Sequence, residues 1–163
     1  MSQLKNKVYL GIGSNLGERS ANIEKALLLL NENPNISVAQ VSTIYETDPV
    51  GGPAQGKFLN GVIELRTDLN PLELLNYLQN IEEKLGRVRT GLKNQPRTLD
   101  LDILLFDDRV INTQQLIIPH ALIQDRLFVL KPFADIAPEV IHPILKKTIK
   151  QIFRALSVVV NSR

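Results

Sequence analysis

The chain has 163 residues, 19 Lys and Arg against 17 Asp and Glu for a net charge of +2, 44% hydrophobic residues and no Cys or Trp. At this length one compact domain, residues 1–163, is expected to bury about 70% of its unfolded surface without staples. The missing cysteines exclude disulfides, thiolate metal sites and a Cys nucleophile, and near-balanced charge with a mean hydropathy of -0.02 argues against a disordered tail or a nucleic-acid coat. No apolar run approaches the roughly 18 residues of a membrane span, and residues 8–12 are too short for a signal-peptide core, so a cytoplasmic protein with no membrane partner is expected.

Residues 7–14 alternate and end in turn formers, which predicts a strand. Ile23, Ala26, Leu27 and Leu30 then form a helical stripe that Asn33-Pro34 stops. The β-branched content over residues 36–46 predicts a second strand. Residues 47–57 hold two prolines and three glycines, a long loop of the kind that in compact domains is functional or disordered. A third strand is expected over 58–66, with Leu59, Ile63 and Leu65 on one face and Phe58, Asn60, Val62 and Glu64 on the other. The next helix has Asn70 as N-cap, Pro71 at N1, Glu73 at N3 and Gly86 at C′, around a stripe of Leu74, Leu78, Ile81 and Leu85. A second loop, 87–97, leads into a fourth strand, 98–106.

The order βαββαβ predicts an α+β, ferredoxin-like fold with helices on an antiparallel sheet, followed by a C-terminal extension ending in a helix. Leu145, Ile149, Ile152, Phe153 and Leu156 mark that last helix, with Lys146, Lys147, Lys150 and Arg154 on a solvated face. His142 reads as structural.

Two phosphate-loop resemblances fail on inspection. Gly11-x-Gly13 lacks the third glycine of a dinucleotide fingerprint at the right spacing, and Gly51 to Lys57 is followed by Phe58 where a P-loop needs Ser or Thr. The stronger signal is Asp100-Leu101-Asp102. In a strand, residues two apart share a face roughly 6.6–6.8 Å apart, so both carboxylates project together while Leu99, Leu101, Ile103 and Leu105 fill the other side. Two like charges there repel, and either a hard divalent cation or neighbouring arginines would relieve them. Lys84, Arg87, Arg89, Lys93 and Arg97 precede the pair with no acid among them, and Asp100 to Asp108 holds four acids and no cation. A polyphosphate with its metal would satisfy both halves.

The residues carry a resemblance to a known family. Gly11-Ile12-Gly13-Ser14-Asn15-Leu16-Gly17, Tyr45 to Gly51, Phe58-Leu59-Asn60, Gly86-Arg87-Val88-Arg89, the specific string Pro96-Arg97-Thr98-Leu99-Asp100-Leu101-Asp102-Ile103-Leu104, and Ile118-Pro119-His120 with Arg126 and Phe128 together resemble the 6-hydroxymethyl-7,8-dihydropterin pyrophosphokinases of folate biosynthesis. The resemblance implies transfer of the β,γ-diphosphate of ATP to the pterin's hydroxymethyl oxygen, releasing AMP. It implies two Mg²⁺ ions on Asp100 and Asp102, catalytic roles for Arg87, Arg97, Asp100 and Asp102, and ATP contacts from Gln79, Glu82, Arg87, Arg97, His120 and Arg126. The pterin would lie against Thr47, Pro49, Val50, Gly51, Phe58, Asn60 and Phe128. No nucleic acid and no second subunit are expected.

The chain departs from the family's usual pattern in three places. Lys93-Asn94-Gln95 stands where many members have Arg-Trp-Gly, Ala121 follows His120 in place of an aromatic residue, and Asp48 replaces the first proline of a Pro-Pro pair. Phe58 and Phe128 could equally be core residues by their pattern alone. A ferredoxin-like RNA-binding module is the competing function, weakened by the absent RNP1 pattern and the few aromatics available for stacking bases.

Overall fold

The computed structural model describes residues 4–88 and 90–162; Arg89, counted above among the loop cations, lies outside the described residues. Strand β1 (Asn6–Ser14) leads to helix α1 (Arg19–Glu32), then strands β2 (Ile36–Val41), β3 (Tyr45–Thr47) and β4 (Phe58–Thr67), helix α2 (Pro71–Lys84) and strand β5 (Asp100–Phe106). A short hairpin, β6 (Ile111–Asn112) and β7 (Ile117–Ile118), and a 3-10 turn (Ile123–Asp125) precede helices α3 (Leu127–Ile136) and α4 (Ile149–Asn161). The main sheet runs β2-β4-β1-β5 with β3 also paired to β4, and every pairing is antiparallel. This is the strand order of a ferredoxin-like fold, as the element order implied.

Alternation along β1 explains how the sheet is covered. Val8, Leu10 and Ile12 join Ile63, Leu65, Leu99, Leu101 and Ile103 beneath α1 and α2, whose buried stripes are Ile23, Ala26 and Leu30, and Leu74, Leu78 and Ile81. Tyr9 and Val62 face the other way and pack with Leu104 and Leu105 against Leu130 and Phe133 of α3 and Ile149 and Ile152 of α4. The C-terminal extension therefore covers the sheet's second face. No helix among the described residues is long and apolar enough to cross a membrane.

Four expectations are corrected. The strand expected over 36–46 is two strands, because the Ser42 hydroxyl accepts the Val62 N–H at 2.8 Å and interrupts the regular ladder. The strand expected from Thr98 starts at Asp100, beyond which the chain turns away and Arg97 is held instead by Asn15. Leu105 does not share the face of Leu99, Leu101 and Ile103. The register shifts between Tyr9↔Leu105 and Leu10↔Ile103, a bulge at Leu104 that turns both Leu104 and Leu105 toward α3. Finally, Leu145, Lys146 and Lys147 lie outside the last helix, whose first turn is set by a Thr148–Gln151 capping box.

Helix α3 was not foreseen, since Pro132 in its interior and an almost unbroken apolar run hide its period. His142 accepts the Ile144 and Leu145 N–H groups at Nδ1, at 3.2 and 3.1 Å, and so shapes the turn before α4.

The Asn70–Glu73 capping box forms as the sequence indicates, with two 2.9 Å bonds, and Gly86 takes the positive φ of 90° expected at C′. Asn70→Ala should lower the unfolding free energy by about 1 kcal/mol in urea titrations with an unchanged slope. No loss of stability would show that the cap contributes nothing.

Candidate active site

Between the α3 face of the sheet and the loops at its end lies a cleft of about 710 Å³, part of it open to solvent. Its floor is Gly11 and Gly13 of β1, which share one strand face and carry no side chains. That bareness is needed, because a Cβ on Gly13 would meet Asn60 Oδ1 at 2.7 Å. In the sequence these two glycines stand out as a failed nucleotide fingerprint and as part of the family-like Gly11 to Gly17 stretch, with no role in a cleft. The signal that could have identified them is their spacing of two within a strand.

Asp100 and Asp102 line the cleft from β5, on one side of β1, and Phe58, Asn60 and Thr47 from β4 and β3, on the other; Val50, Arg97, His120, Arg126 and Phe128 also line it. The Asn60 amide donates to Thr47 Oγ1 at 2.5 Å, joining β4 to β3. Arg97 lies over the Phe58 ring at 5.2 Å and Arg126 over the Phe128 ring at 5.5 Å. Each guanidinium thus packs on one of the cleft's two aromatic rings.

Arg87, Gln79 and Glu82 do not line the cleft. Glu82, on α2, is buried behind β5, where Oε2 accepts the Leu101 N–H at 2.8 Å and an Arg87 N–H at 2.6 Å. The same Arg87 nitrogen lies 3.0 Å from Asp100 Oδ1, and Arg97 approaches Asp100 Oδ2 at 3.2 Å. Arg87 and Glu82 therefore brace the carboxylates from behind. Gln79 is half-buried on the same helix.

Pro49 and Gly51 sit in the 48–57 loop outside the cleft lining. Gly51 and Gly52 have φ near +71° and +73° and pack against Asn94, itself at φ 57°; a Cβ on Gly52 would overlap the Asn94 carbonyl oxygen. Gln55 donates to that carbonyl at 2.8 Å and accepts from the Asn15 amide at 2.7 Å, so the two loops are tied to each other and to the end of β1. Asn94, whose main-chain carbonyl takes that bond, also lines the cleft.

Two groups show what the site is prepared to meet. His120 Nδ1 accepts the Leu122 N–H at 3.1 Å, which leaves the Nε2–H as a donor. Burial, followed by Arg126, holds the ring's pKa below the usual histidine value, so it donates as a neutral imidazole. Asp102 is pushed up to about 7, first by burial and then by Asp100 and Glu82. Among the described residues no three His, Asp or Glu side chains gather as a metal site. Two crowded carboxylates fit Mg²⁺, which binds through one or two carboxylates and takes its remaining ligands from phosphate and water.

Asp102 also fixes a pH dependence. Its carboxyl titrates near 7 in the folded chain against an ordinary value near 3.8, so the folded state keeps a proton that the unfolded state loses. That contribution is fully present below about pH 4 and is lost as pH rises through about 7. Asp102→Asn should therefore match the parent near pH 4 and melt at least about 2–4 °C higher at pH 8 without divalent cations, the shift that about 1 kcal/mol gives in a chain of this size. A lower melting temperature at pH 8 would contradict the assignment.

Residues 9–138 match the family described as 7,8-dihydro-6-hydroxymethylpterin-pyrophosphokinase (HPPK). The chain is 48% identical over 137 residues to the 2-amino-4-hydroxy-6-hydroxymethyldihydropteridine pyrophosphokinase of Bacillus subtilis, covering 84% of this chain and 81% of that one. It is 46% identical over 137 residues to the protein of the same name from Pseudomonas aeruginosa, covering 84% of each. A solved HPPK-DHPS chain in complex with substrates superposes with a TM-score of 0.76 at 16% identity, over 98% of this chain and 44% of that longer one, and supports the fold alone. With a match that includes every residue lining the cleft and relatives this similar over most of their length, the chain belongs to the HPPK family.

Proposed function

We propose that this chain transfers the diphosphate of ATP to the hydroxymethyl group of 6-hydroxymethyl-7,8-dihydropterin, giving AMP and the pterin diphosphate for folate synthesis. One observation carries the proposal: a single cleft is lined by the Asp100–Asp102 pair and two arginines together with the Phe58 and Phe128 rings and the Asn60 amide. The hydroxymethyl oxygen forms a bond to the β-phosphorus and gives up its proton to solvent, the bond from that phosphorus to the α-bridging oxygen breaks, and the electron pair leaves on AMP. Such a transfer asks the protein mainly for in-line positioning and charge neutralisation.

The cleft residues divide that work. Arg97 and Arg126 reach the phosphates as forked donors, and the neutral His120 adds the Nε2–H held ready by Leu122. Asp100 and Asp102 would hold Mg²⁺, two ions by the family resemblance, which neutralises phosphate charge when bound. Arg87, braced by Glu82, keeps Asp100 in place and is available to the phosphates only if it leaves that pair. Phe58 and Phe128 offer ring faces to a flat heterocycle, and Asn60 and Thr47 offer hydrogen bonds to its edge. Gln79, Pro49 and Gly51 act at most through their neighbours. We place the enzyme in the cytoplasm with the folate pathway, acting as a monomer.

The test is ³¹P NMR of ATP, Mg²⁺, the hydroxymethyl dihydropterin and the protein. AMP and a pterin diphosphate should appear together; ADP, or no reaction, would overturn the reading. Asp100→Ala and Asp102→Ala should each lower kcat by a factor on the order of a thousand or more while the circular dichroism spectrum is kept. Turnover within tenfold of the parent would remove the carboxylates from the mechanism.

A further inference from the structure

β3 is three residues long, pairs only with β4, and its last residue, Thr47, is part of the cleft wall. A strand this short is weakly held by its ladder. Side chains on both of its faces supply what the ladder lacks. On the α1 side, Glu46 takes a 2.8 Å bond from Arg19, which also donates to the Lys57 carbonyl at 2.8 Å and so ties together the two ends of the 48–57 loop. On the α3 side, the Tyr45 hydroxyl donates to Asp135 Oδ2 at 2.5 Å, and Lys131 Nζ lies 4.5 Å from the centre of the Tyr45 ring.

The α3 contact is the informative one. Lys131 and Asp135 lie one helical turn apart on the helix whose first residues, Phe128 and Val129, form the opposite wall of the cleft. Tyr45 and Thr47 are two apart on β3 and share a face, so the hydroxyl that grips α3 and the hydroxyl that accepts from Asn60 belong to one rigid strand. The distance between Thr47 with Asn60 and Phe128 is thereby fixed from outside the cleft. Neither Tyr45 nor Asp135 lines the cleft.

We propose that Tyr45 and Asp135 are a positioning pair that sets the width of the slot between β3 and α3, and with it the affinity for the flat heterocycle. The pair rests on the pterin assignment above. It acts chiefly on that substrate, because Asp100 and His120 are carried by elements that β3 does not pair with, and of the phosphate-binding residues only Arg126 lies at the start of α3.

The experiment compares the parent with Tyr45→Phe, Asp135→Ala, Asp135→Asn and the Tyr45→Phe/Asp135→Ala double variant. Fluorescence titration of 6-hydroxymethyl-7,8-dihydropterin, with Mg²⁺ and a non-hydrolysable ATP analogue present, gives the pterin Kd; steady-state assays give kcat and both KM values. Tyr45→Phe and Asp135→Ala should each raise the pterin Kd and KM on the order of fivefold, the scale of one lost net hydrogen bond, with kcat and the ATP KM within twofold. The double variant should be no worse than either single one, and Asp135→Asn, which keeps an acceptor oxygen, should stay near the parent. Unchanged pterin binding, or equal weakening of both substrates, in variants of a parent that makes AMP would overturn the pair alone. A parent that makes no AMP would overturn the pterin reading and the pair together.

Discussion

The arrangement on which the rest depends is the gathering of three carboxylates around the start of an edge strand. Burial, and then the neighbouring charges of Asp100 and Glu82, push the Asp102 carboxyl up to about 7. Arg87 sits between Glu82 and Asp100, and Arg97 takes the other Asp100 oxygen. The buried Glu82 does more than pair with Arg87. By accepting the Leu101 N–H it caps an outward-facing donor of β5 and fixes the strand between the two aspartates, so the residue that contributes to the repulsion also sets its geometry.

That geometry becomes a site only because the sheet has a second covered face. α3 and α4 pack on Tyr9, Val62, Leu104 and Leu105, while Gly11 and Gly13 leave the same face bare further along β1. The bulge at Leu104 helps to seat α3, and α3 then delivers Arg126 and Phe128 opposite Asn60 and Phe58. The ferredoxin-like half provides the charged edge, and the extension supplies the far wall of the cleft.

Much of this is legible in the residues. Alternation and capping located β1, α1, β4 and α2 closely, and the spacing of Asp100 and Asp102 with the preceding cations pointed to phosphate and a hard metal. What escaped were features created by tertiary partners. The break between β2 and β3 depends on Ser42 meeting Val62, the reversal of Leu105 depends on a mismatch with β1, and α3 survives Pro132 because Leu130 and Phe133 are buried. Within the site, Asn60 and Phe128 were reached through family likeness, since an aromatic or amide residue in a strand or helix carries no mark of facing a cleft. Glu82 was placed near the nucleotide by the same likeness, and its position behind the strand could come only from the fold.

The central claim is that Asp100 and Asp102 form half of a metal site, completed by substrate phosphate. Isothermal titration of Mg²⁺ into the protein, with and without a non-hydrolysable ATP analogue, tests this directly. The account predicts saturable binding with the analogue and at least tenfold weaker binding without it, because the two carboxylates alone leave most of the octahedral positions to water. Equally tight binding of Mg²⁺ in the absence of nucleotide would contradict it.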